Sequence, residues 1–195
     1  MRIGLIRHGE TDWNKEALFQ GTSDIPLNDT GLDQARRNAV LLEGQPWGAL
    51  YASPLRRTTR TAQEIGRVTG LGEPTPLPDI IERHFGELEG ATVFLPDGSR
   101  RLADHPSVEP VETVLERTYR ALDRVTSEAE ADALIVTHGT VVRLLLNDLL
   151  RVAAPRDQQP RAHGDRNRPD REARIPRRRR KRVPGVTRPH AHRVA

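Results

Sequence analysis

The chain has 195 residues, enough for one domain with a substantial core and too few for two of ordinary size. It contains no cysteine, which removes disulfides, thiolate metal sites and cysteine nucleophiles together; aromatic residues make up 4%, so the core must be mainly aliphatic. The net charge of +4 averages two unlike pieces: residues 155–195 carry 14 Lys/Arg against 4 Asp/Glu, and residues 1–154 carry 17 against 23. The basic character therefore belongs to the tail, and a specific nucleic-acid partner is not expected from charge.

Residues 1–154 alternate strand-like and helix-like segments, the pattern of a layered α/β domain. Ile3-Gly4-Leu5-Ile6 is a short apolar run, as expected of a buried strand. Thr30 can cap a helix in which Leu32, Ala35, Ala39 and Leu42 recur at helical spacing. Ala49 to Ala52 is a second strand candidate, followed by a helix over about 55–68 that ends at Thr69-Gly70. Between Gly90 and Pro110 the pattern is weak, with a turn at Pro96-Asp97-Gly98. A long helix is expected from Glu109 or Glu112 to Ala129, with Val114, Leu115, Ala121, Leu122 and Val125 inward. Ala133 to Thr137 is the clearest buried strand, and Val141 to Leu150 the helix after it. From about Pro155 the periodicity stops, and an Arg/Pro-rich tail over 155–195 is expected to be disordered, because it has too little apolar surface to offset chain entropy. No stretch is apolar enough to span a membrane and no secretory leader is visible, so a cytoplasmic protein is expected.

The sharpest local signal is Leu5-Ile6-Arg7-His8-Gly9-Glu10-Thr11. A strand ending in Arg-His-Gly sets an imidazole and a guanidinium at the carboxyl edge of a sheet, where open α/β folds bind ligands. The glycine lets the backbone turn close to a bound anion.

With its later segments, the chain resembles the histidine phosphatase superfamily, also called phosphoglycerate mutase-like. The resemblance runs from residue 2 to about 156. It is carried by Arg7-His8-Gly9-Glu10-Thr11 with Trp13-Asn14, by Gln20-Gly21 with Pro26-Leu27, and by Ser53-Pro54-Leu55-Arg56-Arg57 with Thr61-Ala62. Glu82-Arg83 with Phe85-Gly86-Glu87-Leu88-Glu89-Gly90, and then Thr137-His138-Gly139, complete it. The resemblance implies a three-layer α/β/α fold with a mainly parallel sheet, and a phosphatase acting on small phosphomonoesters. It implies His8 as the covalent phosphoryl acceptor, with Arg7, Arg57 and His138 around the phosphoryl oxygens. Asn14, Gln20, Gly21 and Gly139 would complete the phosphate site, and Glu82 would protonate the leaving oxygen and then activate water. No metal or other cofactor is implied, because arginine and histidine supply the positive charge. Glu87 and Glu89 are neighbours that compete with Glu82 for the acid role, His84 and His105 read as incidental, and Glu109 either helps position the site or serves its helix end.

The chain departs from the family in three places. Family members carry an arginine in the stretch corresponding to Lys15–Phe19, and this chain has none. The segment over 90–110 is short, which favours phosphatase over phosphoglycerate mutase activity. After Arg156 the family continues into an Asn-containing turn and a final strand, whereas here Asp157-Gln158-Gln159 opens the basic tail. A one-base shift converts the codons of Asp-Gln-Gln to ones compatible with Ile-Asn-Asn, and those of 161–167 to Ala-Leu-Thr-Val-Ile-Glu, an alternating strand. The tail therefore reads as a frameshift product. The rival readings are a phosphoglycerate mutase, and an inactive domain whose basic tail binds nucleic acid. The sequence leaves monomer or homodimer open.

Overall fold

The computed structural model describes residues 1–101 and 103–153. The elements in chain order are β1 (Ile3–Arg7), α1 (Asp12–Lys15), α2 (Asp29–Leu42), β2 (Trp47–Ala52), α3 (Arg56–Thr69) and β3 (Thr75–Pro76). Two 3-10 turns, Pro78–Ile80 and Gly86–Leu88, precede α4 (Val111–Glu128), β4 (Asp132–Thr137) and α5 (Gly139–Ala153). Among the described residues the sheet has the order β1-β4-β2-β3, and all its pairs are parallel.

The core divides by the two-residue period of the strands. Leu134 and Val136 of β4 join Leu50 and Ala52 of β2 under Ala39 of α2 and Ala62 and Ile65 of α3. The alternate residues, Ala133 and Ile135 with Tyr51, pack against Ala121 and Val125 of α4. With α5 beside α4 and β1, helices cover both faces of the sheet, which gives the three-layer α/β/α architecture expected. β4 lies between β1 and β2 and is buried along nearly its whole length, whereas β1, outermost among the described residues, is only half-buried despite its apolar sequence.

Register sets the site. Arg7 is level with Thr137, and Ala52 with Val136. The residues that follow, His8, Ser53 and His138, therefore emerge together at the carboxyl edge. Gly9 brings β1's exit against the start of α2: a Cβ at Gly9 would lie 2.2 Å from the Gly31 carbonyl oxygen, and one at Gly31 would lie 2.0 Å from the Glu10 carbonyl oxygen. Only glycine fits at either position.

Some local expectations shift. Asn28, not Thr30, caps α2, its side chain accepting from the Gly31 N–H. α5 begins at Gly139, two residues before the apolar run. α1, β3 and the 3-10 turns are too short for periodicity to reveal. The expected turn around Gly98 is present, closed by Gly98 N–H to Leu95 O at 2.9 Å. The basic tail and the frameshift reading lie outside the described residues.

Candidate active site

His8 follows β1 and is 7% exposed. Its Nδ1 lies 2.6 Å from the Gly9 carbonyl oxygen, and its own N–H donates to Thr137 O at 3.0 Å. A carbonyl only accepts, so Nδ1 carries the proton and Nε2 keeps a free lone pair. Burial, followed by the charge of Arg57, lowers the pKa from 6.5 to about 3. The imidazole is neutral at physiological pH, the form in which it can act as a nucleophile.

The His138 ring meets it edge-on, with centroids 5.2 Å apart. His138 Nε2 is 2.8 Å from Ser53 Oγ. Ser53 is fully buried and its hydroxyl has no other acceptor among the described residues, so it donates to Nε2. That assigns the proton of His138 to Nδ1, a buried atom with no partner. Burial, with Arg57 and His8 beside it, holds the His138 pKa well below the usual value.

Arg57 stands in the first turn of α3 and is fully buried. It donates from Nη1 to Ser23 O and from Nη2 to Gly21 O, both at 2.8 Å, while its Nε finds no partner. Two orphaned buried donors, Arg57 Nε and His138 Nδ1, thus belong to residues whose charges act on the His8 imidazole or whose ring touches it. Leaving such groups unpaired costs about 1–3 kcal/mol each, and an oxyanion would satisfy them.

Glu82 is 8% exposed. Its Oε1 accepts from the Arg83 N–H at 2.8 Å and its Oε2 from the Thr140 N–H at 3.4 Å, which sets the carboxyl at the first turn of α5 beside His138. Burial raises its pKa, against the two N–H donors and the Arg57 charge. A carboxyl whose pKa is raised suits an acid.

Arg7 is exposed, and its Nε lies 3.3 Å from where a Cβ of Gly139 would stand. Arg7, His8 and Asn14 line one wall of a cavity of about 550 Å³, and Gln34, Arg37 and Asn38 of α2 line the other. Asn14 is fixed by a capping box at α1, its backbone and Oδ1 bonded to Thr11. Gly21 (φ 53°) gives its carbonyl to Arg57 and packs against Glu89 so closely that a Cβ would lie 2.0 Å from Oε1. Gln20 is buried beside it with its Oε1 unpartnered, and no described bond ties it to His8.

Two residues have structural parts in the site that the sequence did not assign to them: Glu89, noted there only as a competitor of Glu82, and Arg117, not singled out at all. Glu89 accepts from the Thr22, Ser23 and Phe85 N–H groups and from the Thr22 and Ser23 hydroxyls, and so clamps the loop that holds Arg57. Arg117 is buried on α4 and pairs with Glu109 through both carboxylate oxygens. Glu109 is thus tied to the chain around Glu82 and, through Arg117, to the body of α4. His84 is half-exposed, 3.9 Å from Glu89, and His105 bonds Ser107. Among the described residues no group of three or more His, Asp or Glu is placed to hold a metal ion, and no helix is long and apolar enough to cross a membrane.

Comparison with known proteins identifies the family of the chain. The family model for the histidine phosphatase superfamily, branch 1, matches residues 3–166. The uncharacterized phosphatase PhoE of Bacillus subtilis is 36% identical over 150 residues, covering 75% of this chain and 76% of that protein. A metal-independent phosphoserine phosphatase of Arabidopsis thaliana is 31% identical, covering 73% and 66%. The crystal structure of a phosphoglycerate mutase from Thermus thermophilus superposes with a TM-score of 0.59 at 35% identity, over 75% of this chain and 83% of that one. The chain belongs to branch 1 of the histidine phosphatase superfamily.

Proposed function

We propose that the protein hydrolyses small phosphomonoesters through a phosphohistidine on His8, with Glu82 as general acid and then general base. The observation that carries this is the commitment of His8 Nδ1 to the Gly9 carbonyl, which leaves Nε2 as a nucleophile beside two unpaired buried donors. In the first step His8 Nε2 attacks phosphorus, the bond to the leaving oxygen breaks, and Glu82 gives that oxygen its proton. Arg7, Arg57 and His138, with Asn14 and the Gly139 N–H, take up the charge on the equatorial oxygens. In the second step Glu82 removes a proton from water, the water oxygen attacks phosphorus, and the P–N bond breaks to release inorganic phosphate. Gly21, with Gln20 before it, acts through the loop whose carbonyls hold the Arg57 guanidinium.

A panel of phosphomonoesters assayed without added metal tests this, comparing the parent with His8→Ala. The parent is expected to turn over at least one ester and to accumulate an acid-labile phosphoenzyme; undiminished turnover in His8→Ala refutes the nucleophile. Mutase activity uses the same residues, and relatives bear both kinds of name. The short segment over 90–110 supports hydrolysis, expected as phosphate release without stimulation by 2,3-bisphosphoglycerate. A cytoplasmic location, a small phosphorylated substrate rather than a nucleic acid, and a catalytic domain ending near residue 154 belong to the same reading.

A further inference from the structure

The segment that carries Glu82 has no regular structure of its own after the 3-10 turn at Pro78–Ile80. Its carboxyl is held by one firm bond, from the adjacent Arg83 N–H, and one long bond from Thr140. The backbone, by contrast, is fastened from a distance. Arg117 is 7% exposed and places all five of its N–H donors. Nε and Nη2 reach Glu109 Oε1 and Oε2 at 2.8 and 3.0 Å. Nη1 reaches Asp79 O at 2.8 Å and Ile81 O at 2.5 Å, and Nη2 reaches Glu82 O at 3.2 Å. Glu109 completes the clasp: Oε2 accepts from the His84 N–H at 3.0 Å, its own N–H donates to His84 O at 2.9 Å, and its carbonyl accepts from Arg83 Nε at 2.7 Å.

We propose that Arg117 and Glu109 are positioning residues for Glu82, fixing the backbone on both sides of it so that its carboxyl stands at the leaving oxygen. This rests on the assignment of Glu82 as the acid. The arrangement needs a planar fork with five donors: lysine at 117 keeps the charge but offers three donors from one nitrogen and cannot serve Glu109 and three carbonyls together. Burial alone would raise the pKa of Glu109, but the Arg117 fork, the His84 N–H and the charges of Arg117 and Arg83 hold it below its usual value, so its carboxyl is ionised at neutral pH.

A part in acid catalysis differs from a part in folding through its dependence on the leaving group. An alkoxide must be protonated as it departs, whereas p-nitrophenolate leaves unaided. kcat/KM, which reports events through phosphorylation of His8, is therefore measured with an alkyl phosphate and with p-nitrophenyl phosphate. The enzymes are the parent, Arg117→Lys, Glu109→Gln, Glu82→Gln and the doubles with Glu82→Gln, each melted first to establish that it is folded. A misplacement of about 1 Å lowers rate by about 10²-fold, so Arg117→Lys and Glu109→Gln should each lower the alkyl value by about that factor and the aryl value by less than about fivefold. In the Glu82→Gln background either change should add little. Equal losses on both substrates, or full losses in that background, overturn the proposal and leave the pair a purely structural one. If Glu82→Gln alone leaves the ratio of alkyl to aryl turnover unchanged, the acid assignment fails and the proposal with it. Should Arg117→Lys not fold, Glu109→Gln, which keeps the side-chain volume, decides the matter alone.

Discussion

Replacing Glu89 by alanine should destabilise the protein and loosen Arg57 although Glu89 touches no catalytic side chain. Five donors converge on its carboxylate, from Thr22 N and Oγ1, Ser23 N and Oγ, and Phe85 N, at 2.6–3.3 Å. The hydroxyls can turn to water, and the Ser23 N–H also donates to Gln20 O at 3.1 Å. Among the described residues the Thr22 and Phe85 N–H groups have no other partner, and Phe85 is buried. Two orphaned amides at about 1–3 kcal/mol each give a loss of about 3 kcal/mol, equivalent to a fall in Tm of about 6–12 °C for a chain of this size. Glu89→Gln keeps one oxygen for those two amides and should lose about 1 kcal/mol. Because the Gly21 and Ser23 carbonyls hold the Arg57 guanidinium, kcat/KM should fall with stability in the alanine variant. Thermal melts at pH 7.5, alongside phosphatase assays well below Tm, read both quantities. An alanine variant melting within about 2 °C of the parent, or no less stable than the glutamine variant, would refute the reasoning. Acid supplies a further check. The Glu89 pKa is depressed: burial works to raise it but is outweighed by hydrogen bonds from Ser23, Thr22 and Phe85, so its contribution is present above its ordinary 4.5 and lost as pH falls through the depressed value. The alanine variant should show a shallower loss there.

The alkaline limb of kcat/KM should report Glu82. Its pKa is raised by burial and it must be protonated to serve as acid, so activity should decline as pH climbs through that value, and Glu82→Gln should lack the limb. His8→Asn, although inactive, should resist acid better than the parent. With the folded pKa lowered from 6.5 to about 3, the unfolded chain binds more protons between those values, so stability is lost as pH falls below 6.5. At pH 5 the histidine's share is about 2 kcal/mol, and chemical denaturation of both proteins at pH 7.5 and 5 measures the difference. Gly9→Ala drives a methyl into the Gly31 carbonyl, backbone against backbone, and should lose at least about 3 kcal/mol together with activity, seen as a lowered melt and a smaller soluble yield.

The layered fold was legible because the strands are short apolar runs whose alternate residues face different helix pairs, as Leu134 and Ile135 do. His8, Arg57, Glu82 and His138 were legible because each stands in a distinctive motif at the end of a strand, the start of a helix or a fixed turn. Arg117 was not, since an arginine within a helix is read as solvated. Yet it falls between Val114 and Ala121 on the stripe that α4 buries, and a charge at such a position signals a partner inside. Glu89 stood in a quoted motif, but its part as a clamp was not legible there: its five donors come from residues sixty-six and sixty-seven positions away and from the amide of Phe85. The Thr11-to-Asn14 capping box was readable in principle, but its four-residue helix carries no periodic pattern. The contribution of α2 to the cavity was unforeseen because Gln34, Arg37 and Asn38 join its lining through tertiary contacts, the close approach of Gly9 to Gly31 and the Glu10 N–H bond to Gln34.

Since β1 has β4 along one side only among the described residues, its amides divide by parity. Arg2 O and His8 N–H both engage β4, so the even-numbered positions are spent on that ladder and Ile3, Leu5 and Arg7 turn their backbone groups outward. Deuterium should therefore enter at alternate residues, fast at 3, 5 and 7 and slow at 4, 6 and 8. Among the described residues the strand before the nucleophile is paired along one seam, and that seam is the strand which runs on into His138. Anything that loosens β4 dislodges both imidazoles at once, so a perturbation there should extinguish turnover before it melts the remainder of the sheet.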